Sequence, residues 1–315
     1  MRHIGVKTLT VFCLCAGLMQ AQKDVRSRPA TAPRTARRMV HGGTRPTQTP
    51  SSNGMIVTPA SAMTLATTLL GAGVTISGTP TLQGAAAQAG TFTNGPSLVG
   101  FPAGIILSSG NVVDAATNWA GADLPSTAEG EPGYAPLSAL IGGQATNDAA
   151  VLQFSFIPNA SSISFSYIFA SAEYPEFIGS FNDPMALFVN GTAAANNVAV
   201  LPTTPPVPVT INNVNEMTNS QFFNKYNGTG DNLPYGGETK VLTATANVNA
   251  GQVNTITLAV ADALDEVLDS AVFIQAGSLT TTSPTPAPPA LLLLLTGLAG
   301  LGMWYLGQRF ARRHS

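Results

Sequence analysis

Between residues 146 and 279, apolar and polar positions alternate in short runs closed by Gly, Asn, Pro or Ser. In "VLQFSFIP" (151–158), Leu152, Phe154 and Phe156 fall on one face and Gln153 and Ser155 on the other. That is the period of a strand with one buried face. "SISFSYIFAS" repeats the pattern with Ile163, Phe165 and Tyr167. Further strands are predicted over 185–191, 208–211, 239–248, 254–262 and 270–279, all rich in β-branched or aromatic residues. "NAGQ" (249–252) reads as a turn between two of them. Upstream, "SAMTLATTLLGAG" (61–73) predicts a short helix opened by Ser and closed by Gly. "VGFPAGIILSSG" (99–110) predicts a loop entering a strand. Many short strands in succession predict a mostly β body, an antiparallel β-sandwich of jelly-roll type, forming one domain over 56–280.

The two ends read differently. Arg2 and Lys7 precede the apolar "TLTVFCLCAGLM", and the small residue Ala21 follows, the pattern of a signal peptide over 1–21. Residues 22–55 are rich in Arg, Thr, Pro and Ser without periodicity, and predict a disordered basic spacer. At the other end, 281–289 is a Pro/Thr linker. Residues 290–307 are uncharged and mostly apolar, near the lower limit for a bilayer span. Trp304 and Tyr305 suit an interface, and Arg309, Arg312 and Arg313 in the tail 308–315 suit the cytoplasmic side. The expected topology holds the body outside the cell and attaches it to the membrane through the C-terminal helix.

Charge sharpens this picture. The whole chain of 315 residues has a net charge of −2, but residues 55–283 contain only Lys225 and Lys240 against 15 acids, a formal charge of −13. Such a body lacks the basic footprint that nucleic acid requires and suits divalent cations instead. All three His (His3, His41, His314) and both Cys (Cys13, Cys15) lie outside it. Within it there is no Ser-His-Asp triad, Cys nucleophile, His/Cys zinc site or disulfide.

The candidate chemistry is carboxylate chemistry. "ADALDEVLDSAVF" (261–273) packs Asp262, Asp265, Glu266 and Asp269 together with no Lys or Arg between them. At spacings i, i+3 and i+7, the three Asp would share one face of a helix and repel; in a loop between strands they converge. A second acidic stretch, "SAEYPEFIGSFNDP" (171–184), holds Glu173, Glu176, Asn182 and Asp183. Loops at one end of a sandwich meet even when distant in sequence. The expectation is one Ca²⁺ site built from Glu173, Asn182 or Asp183, and Asp262 with Asp265 or Asp269, since Ca²⁺ takes six to eight oxygen ligands. The plainer alternative is that these residues cap turns and helices without a metal. No EF-hand spacing is present. "NGTGDNLPYGGE" (227–238) reads as a loop tip rather than a second site.

Several blocks together resemble the choice-of-anchor L family of bacterial surface proteins: "GFPAGIILSSGNV" (100–112), "NDAAVLQFSFIP" (147–158), "SFSYIFASAEYPEFIGSFNDPMALFVNG" (164–191), "VTINNVN" (209–215) and "VADALDEVLDSAVFIQAGS" (260–278). The resemblance implies a secreted, surface-held domain. It also implies a second acid beside Glu173, where this chain has Ala172. The tail resembles PEP-CTERM sorting signals, which implies removal by an exosortase-like processing enzyme. The Glu of that motif is missing from "PTPAPP" (284–289).

Three functions fit these residues. The favoured one is a non-catalytic surface module, stiffened by Ca²⁺, that meets extracellular polysaccharide or another surface protein. Tyr174, Phe177 and Tyr226 are candidate sugar-stacking rings, although such residues more often pack loops and cores. The second is a carboxylate-based glycoside hydrolase using Glu173 and Asp262, with Trp119 as the sole Trp of the body. The third is a purely structural surface or matrix component.

Overall fold

The computed structural model describes residues 51–118, 124–225 and 233–282. The expected signal peptide, most of the basic spacer, the membrane or sorting helix and the basic tail lie outside the described residues, as do Trp119 and Tyr226. Among the described residues, no helix is long and apolar enough to cross a membrane.

The body is mostly β with few helices. Its main elements in chain order are β1 (Ile56–Pro59), α1 (Ala62–Leu69), β2 (Val74–Gln83), β3 (Ala89–Thr93), β4 (Ala103–Ser108), β5 (Thr146–Pro158), β6 (Ser162–Ser171) and β7 (Met185–Val189). They continue with β8 (Phe223–Lys225), β9 (Gly237–Thr239), β10 (Leu242–Asn247), β11 (Asn254–Ala263), β12 (Ser270–Gln275) and β13 (Thr280–Thr281). A four-stranded sheet runs β2-β5-β11-β7, and a larger sheet runs β8-β9-β6-β12-β4-β3-β1, with β10 and β13 also paired to β6. Every pairing between these strands is antiparallel.

The alternation read in the sequence builds the core between the sheets. Leu152, Phe154 and Phe156 of β5 and Ile256, Leu258 and Val260 of β11 share one cluster with Ile163, Phe165 and Tyr167 of β6 and Val272 and Ile274 of β12. Burying each such side chain contributes about 1.5–3 kcal/mol. Leu65 and Leu69 of α1 join this core, and Ser61 opens the helix by accepting the Thr64 N–H at 3.3 Å.

A second apolar layer explains why "SAVFIQ" is nearly continuous rather than alternating. Val272 and Ile274 face the core, while Ala271 and Phe273 join Phe92, Ile106, Ile168 and Tyr235 on the outer face of the large sheet. Phe101, Leu98 and Met55 cover that face. Ala259 and Ala261 of β11 likewise join Val151 and Phe188 in a cluster with Leu137 outside the small sheet. A strand buried on both faces loses its polar alternation.

Two expectations shift. Residues 208–211 are not a strand of either sheet. Thr210 makes one isolated bridge to Pro184, and Val207–Pro208 pairs with Val200–Leu201. Beyond it, Asn213 Nδ2 donates to Pro208 O at 2.9 Å and Asn215 Nδ2 to Ile211 O at 3.0 Å, so side chains take carbonyls that a ladder would use. The run 239–248 is split, because the Lys240 N–H turns to Phe222 O at 2.8 Å. Just ahead of residue 56, Ser51–Ser52 pair with Thr117–Asn118, and Met55 is buried.

Registers decide where the acids go. Ser171 of β6 lies opposite Ser270 of β12, and Ala271 lies opposite Ser108 of β4. In the other sheet, Asp262 pairs with Asn147, and Val260 with Met185. Six strand ends therefore meet at one end of the body. The C-terminal strand β13 pairs with Ile163 and Ser164, at the opposite end of β6.

Tyr167 packs in the core with its hydroxyl buried and without a hydrogen-bond partner, and burial pushes its phenol upward. Tyr167→Phe is expected to leave stability unchanged or raise it, because it removes an unsatisfied group. Phe156→Ala is expected to cost about 3–5 kcal/mol. Urea unfolding of both variants checks this; a Tyr167→Phe penalty above about 1 kcal/mol would show that the hydroxyl has a partner.

Candidate metal centre

Asp183 joins the two sheets. It stands two residues before β7, and its Oδ1 accepts the Ala263 N–H at 2.9 Å at the end of β11. Its Oδ2 accepts the Ser270 hydroxyl at 2.6 Å at the start of β12. The Ser270 and Ser171 hydroxyls are 2.9 Å apart, which brings in the end of β6.

Glu173 follows β6 by two residues, with its N–H on Ser171 Oγ at 3.0 Å. Its Oε2 is buried without a partner. Asp262 lies near the end of β11, just past a register shift after Val260. Such irregularities re-aim side chains at strand ends. It is fully buried, and neither of its oxygens has a hydrogen-bond partner. Asp265 lies in the following loop, and its Oδ1 accepts the Val267 N–H at 3.3 Å while Oδ2 has no partner. Asp269 directly precedes β12. Its Oδ1 accepts the Thr127 N–H at 2.8 Å, and its Oδ2 is orphaned. Leu264 (φ 77°) and Leu268 (φ 69°) flank this loop in the left-handed region, which branched side chains rarely adopt. Backbone strain of this kind persists only where its surroundings enforce it.

Five of the six sequence-predicted residues lie close enough for their charges to act on one another: Glu173, Asp183, Asp262, Asp265 and Asp269. Asn182 stands apart, its Oδ1 accepting the Asn212 N–H at 2.9 Å and so clamping the neighbouring turn. Glu176 is exposed.

No described cation opposes this charge. Lys240, the one basic residue whose side chain is described, is exposed and lines a separate depression of about 390 Å³ with Leu98, Ile168 and Val241. Burial therefore dominates the ionisation of every acid in the group. It raises Asp262 well above the carboxylate range, and the charges of Asp183 and Asp269 add to the rise; the nearby Ser109 hydroxyl opposes it, although its own hydrogen bond goes to Ser270 O at 3.3 Å. Burial, then the charges of Asp183 and Asp265, pushes Glu173 up to about 10. Burial lifts Asp183 to about 7 against the bonds from Ser270 and Ala263. Asp269 also rises to about 7, through burial, opposed by the Thr127 N–H and reinforced by Asp114, Asp148 and Glu129. Asp265 is raised by burial.

Several participants were not legible as site residues. Asp148, buried at φ 48°, accepts the N–H groups of Glu129 (2.9 Å) and Glu131 (2.6 Å). The only hint was an Asn-Asp pair opening a strand. Asp114 accepts the Thr127 hydroxyl at 3.3 Å. Gly110 touches Asp269 so closely that an added Cβ would lie 1.9 Å from Oδ2, which leaves room for glycine alone.

Two readings of nearby residues are corrected. Tyr174 is not a sugar platform: it is fully buried, donates to Val214 O at 2.6 Å and stacks 4.7 Å from Phe223. Phe177 is half-buried, edge-on to Phe181 at 5.9 Å. Ala172, where the resemblance implies an acid, is fully buried in the outer apolar cluster, which has no place for a charge.

The donor set is all oxygen, the chemistry of Ca²⁺ or Mg²⁺ rather than of a softer metal. Among the described residues, no three His, Cys, Asp or Glu stand in a grouping that could hold a metal ion as they are placed. The carboxylates share a neighbourhood and leave five buried oxygens orphaned: Glu173 Oε2, both of Asp262, Asp265 Oδ2 and Asp269 Oδ2. Closing them on an ion requires side-chain movement.

Residues 56–280 match the family model described as Choice-of-anchor L domain. No curated protein matches the chain, and no solved structure does.

With divalent metal removed by EDTA, stability is expected to fall as pH rises from about 4 to about 7. The folded-state values of Asp183 and Asp269 stand above those of the unfolded chain. Their contribution is fully present below the unfolded value and is lost as pH rises through the folded one, by about 1.4 kcal/mol per pH unit for each retained proton. Urea unfolding at pH 5, 6 and 7 in EDTA measures it; stability that rises over this range contradicts the burial of these acids.

Proposed function

The chain belongs to the choice-of-anchor L family, and from that premise we propose that it is an exported, surface-held, non-catalytic domain whose acidic end is neutralised by bound Ca²⁺. The observation that carries the metal is the set of five orphaned, buried carboxylate oxygens with no described cation beside them. Leaving ionised groups unpaired in a protein interior is costly enough that they are normally paired, metal-bound or protonated. Glu173, Asp262, Asp265 and Asp269 would supply ligands directly, and Asp183 would hold the two sheets around them. Ca²⁺ tolerates irregular oxygen shells, which suits acids arriving from four different strand ends. Bound there, it supplies rigidity.

The exit of the chain supports surface display. β13, the last strand, pairs with Ser164, seven residues along β6 from Ser171. At about 3.3 Å per residue, that is about 23 Å from the acids. The proposal includes the finer architecture read from sequence: a jelly-roll-like sandwich held to the membrane by the segment 290–307, or released by an exosortase-like enzyme. Attachment through the C-terminus would then turn the acidic end outward, toward extracellular polysaccharide or a surface protein. The hydrolase reading has less support, because Glu173 and Asp262 are 1 % and 0 % exposed, out of reach of a sugar chain.

Thermal unfolding of the full chain at pH 7.5, in EDTA and in Ca²⁺, tests the proposal. At about 100 times its dissociation constant, Ca²⁺ should stabilise by about 2.7 kcal/mol and raise Tm by a few degrees. Asp262→Asn should abolish the shift and, relieved of an acid that must be buried protonated at this pH, be more stable than the parent in EDTA. No shift in millimolar Ca²⁺ overturns the metal, and the acids are then held protonated.

A further inference from the structure

Four of the five acids are sealed, and Asp265 is half-buried. Asp262 and Asp269 are 0 % exposed, and Glu173 and Asp183 are each 1 % exposed. Nothing the size of a hydrated cation reaches them unless part of the surrounding wall moves. Part of that wall is sheet, tied by the ladders of β4, β6, β11 and β12, and part is the loops 172–184 and 264–269, which carry Glu173, Asp183 and Asp265. The segment 124–132 also crosses this end of the body without helix or strand, save for one isolated bridge from Pro132 to Asn147, and it carries none of the five acids itself.

Its fastenings are chiefly hydrogen bonds rather than apolar contacts, and they lead to the acid-bearing elements. Pro125 O accepts the Asp269 N–H at 2.9 Å, and Ser126 Oγ accepts the Leu268 N–H at 3.2 Å. Thr127 spans two acids, with its N–H on Asp269 Oδ1 at 2.8 Å and its hydroxyl on Asp114 Oδ2 at 3.3 Å. The N–H groups of Glu129 and Glu131 both end on the Asp148 carboxylate, at 2.9 and 2.6 Å. Glu131 O and Pro132 O accept from Asp148 and Ala149, at 2.9 and 3.2 Å. Apolar anchorage is confined to Leu124 and Pro125; Ser126, Ala128, Gly130 and Pro132 are exposed. Segments with few apolar contacts and exposed backbone bonds open at the lowest free energy.

We infer that residues 124–132 form a strap that opens to admit the cation and is drawn shut when the cation is bound. This rests on the Ca²⁺ reading above. The coupling residue is Asp269, which gives one oxygen to the strap and keeps the other orphaned toward the remaining acids. A cation on that second oxygen fixes the carboxylate that Thr127 grips. It also screens the mutual repulsion of Asp269, Asp114, Asp148 and Glu129, which bears directly on the strap's anchor points. A cation with equal affinity for the open and closed forms would shift nothing; the differential contact is the one made through Asp269. Asp148 is a positioning residue, since both its oxygens are engaged by the strap and neither is free for a metal.

Hydrogen exchange of the full chain at pH 7.5, in EDTA and in saturating Ca²⁺, tests this together with Tm. Amides 126–131 should exchange at least about tenfold more slowly in Ca²⁺ than in EDTA, the change expected for a shift of 1.4 kcal/mol in the opening equilibrium. Asp148→Asn, which replaces one acceptor oxygen with an amide donor, should restore fast exchange at 129–131 in Ca²⁺ while the Ca²⁺-dependent rise in Tm persists. Should that variant not fold, Thr127→Ala, which removes the hydroxyl on Asp114, should speed exchange at 126–128 in the same way. A Tm rise with unchanged exchange at 126–131 overturns the strap and leaves the metal reading standing. Neither a Tm rise nor a change in exchange overturns both.

Discussion

The structure turns on one constraint: four buried carboxylates and a half-buried fifth, Asp265, share the meeting point of six strand ends, with no described cation to oppose them. Two of their contacts also close the fold. Asp183 receives a backbone N–H from β11 and a hydroxyl from β12, so the small and large sheets are joined through a single acid. An apolar residue there would pack but could not accept either donor. The acids are therefore part of how the two sheets close as well as a burden on them.

Their placement follows from topology. Antiparallel strands bring the ends of β4, β6 and β11 together with the starts of β5, β7 and β12, so loops far apart in the chain share one end. The opposite end has another character. Its turns carry Asn and Gly, as at Asn190-Gly191 and 249–252, and Asn254 holds the latter turn with bonds to Asn249 and Gln252. The chain leaves the body from that uncharged end. One end is chemically quiet and leads toward the C-terminal segment; the other concentrates charge.

Much of this was written in local pattern. Strict alternation marked β5 and β6, and the same alternation separated core-facing from solvent-facing residues. β11 and β12 read as continuous because both their faces are covered. The run 208–211 misled because its β-branched residues suit a strand, while the Asn side chains that follow compete for its carbonyls. The convergence of the two acidic loops was legible, since acids dense in inter-strand loops have few other places to go. Asn182 was not legible as a backbone clamp, because its partner Asn212 is 30 residues away. Asp148 and Gly110 escaped for a similar reason. One grips backbone 17 and 19 residues upstream, and the other matters only because Asp269 lies against it. Such roles belong to tertiary contacts, which no short window of sequence contains.

The central claim is that a cation, rather than protons alone, balances the buried acids at neutral pH. Its most direct measurement is the metal content of the purified full chain after dialysis against micromolar free Ca²⁺ at pH 7.5, read by elemental mass spectrometry. At least one Ca²⁺ per chain, lost in Asp262→Asn, is the predicted result. A folded chain that retains no divalent metal, even after dialysis against millimolar Ca²⁺, would contradict it and assign the balance to retained protons.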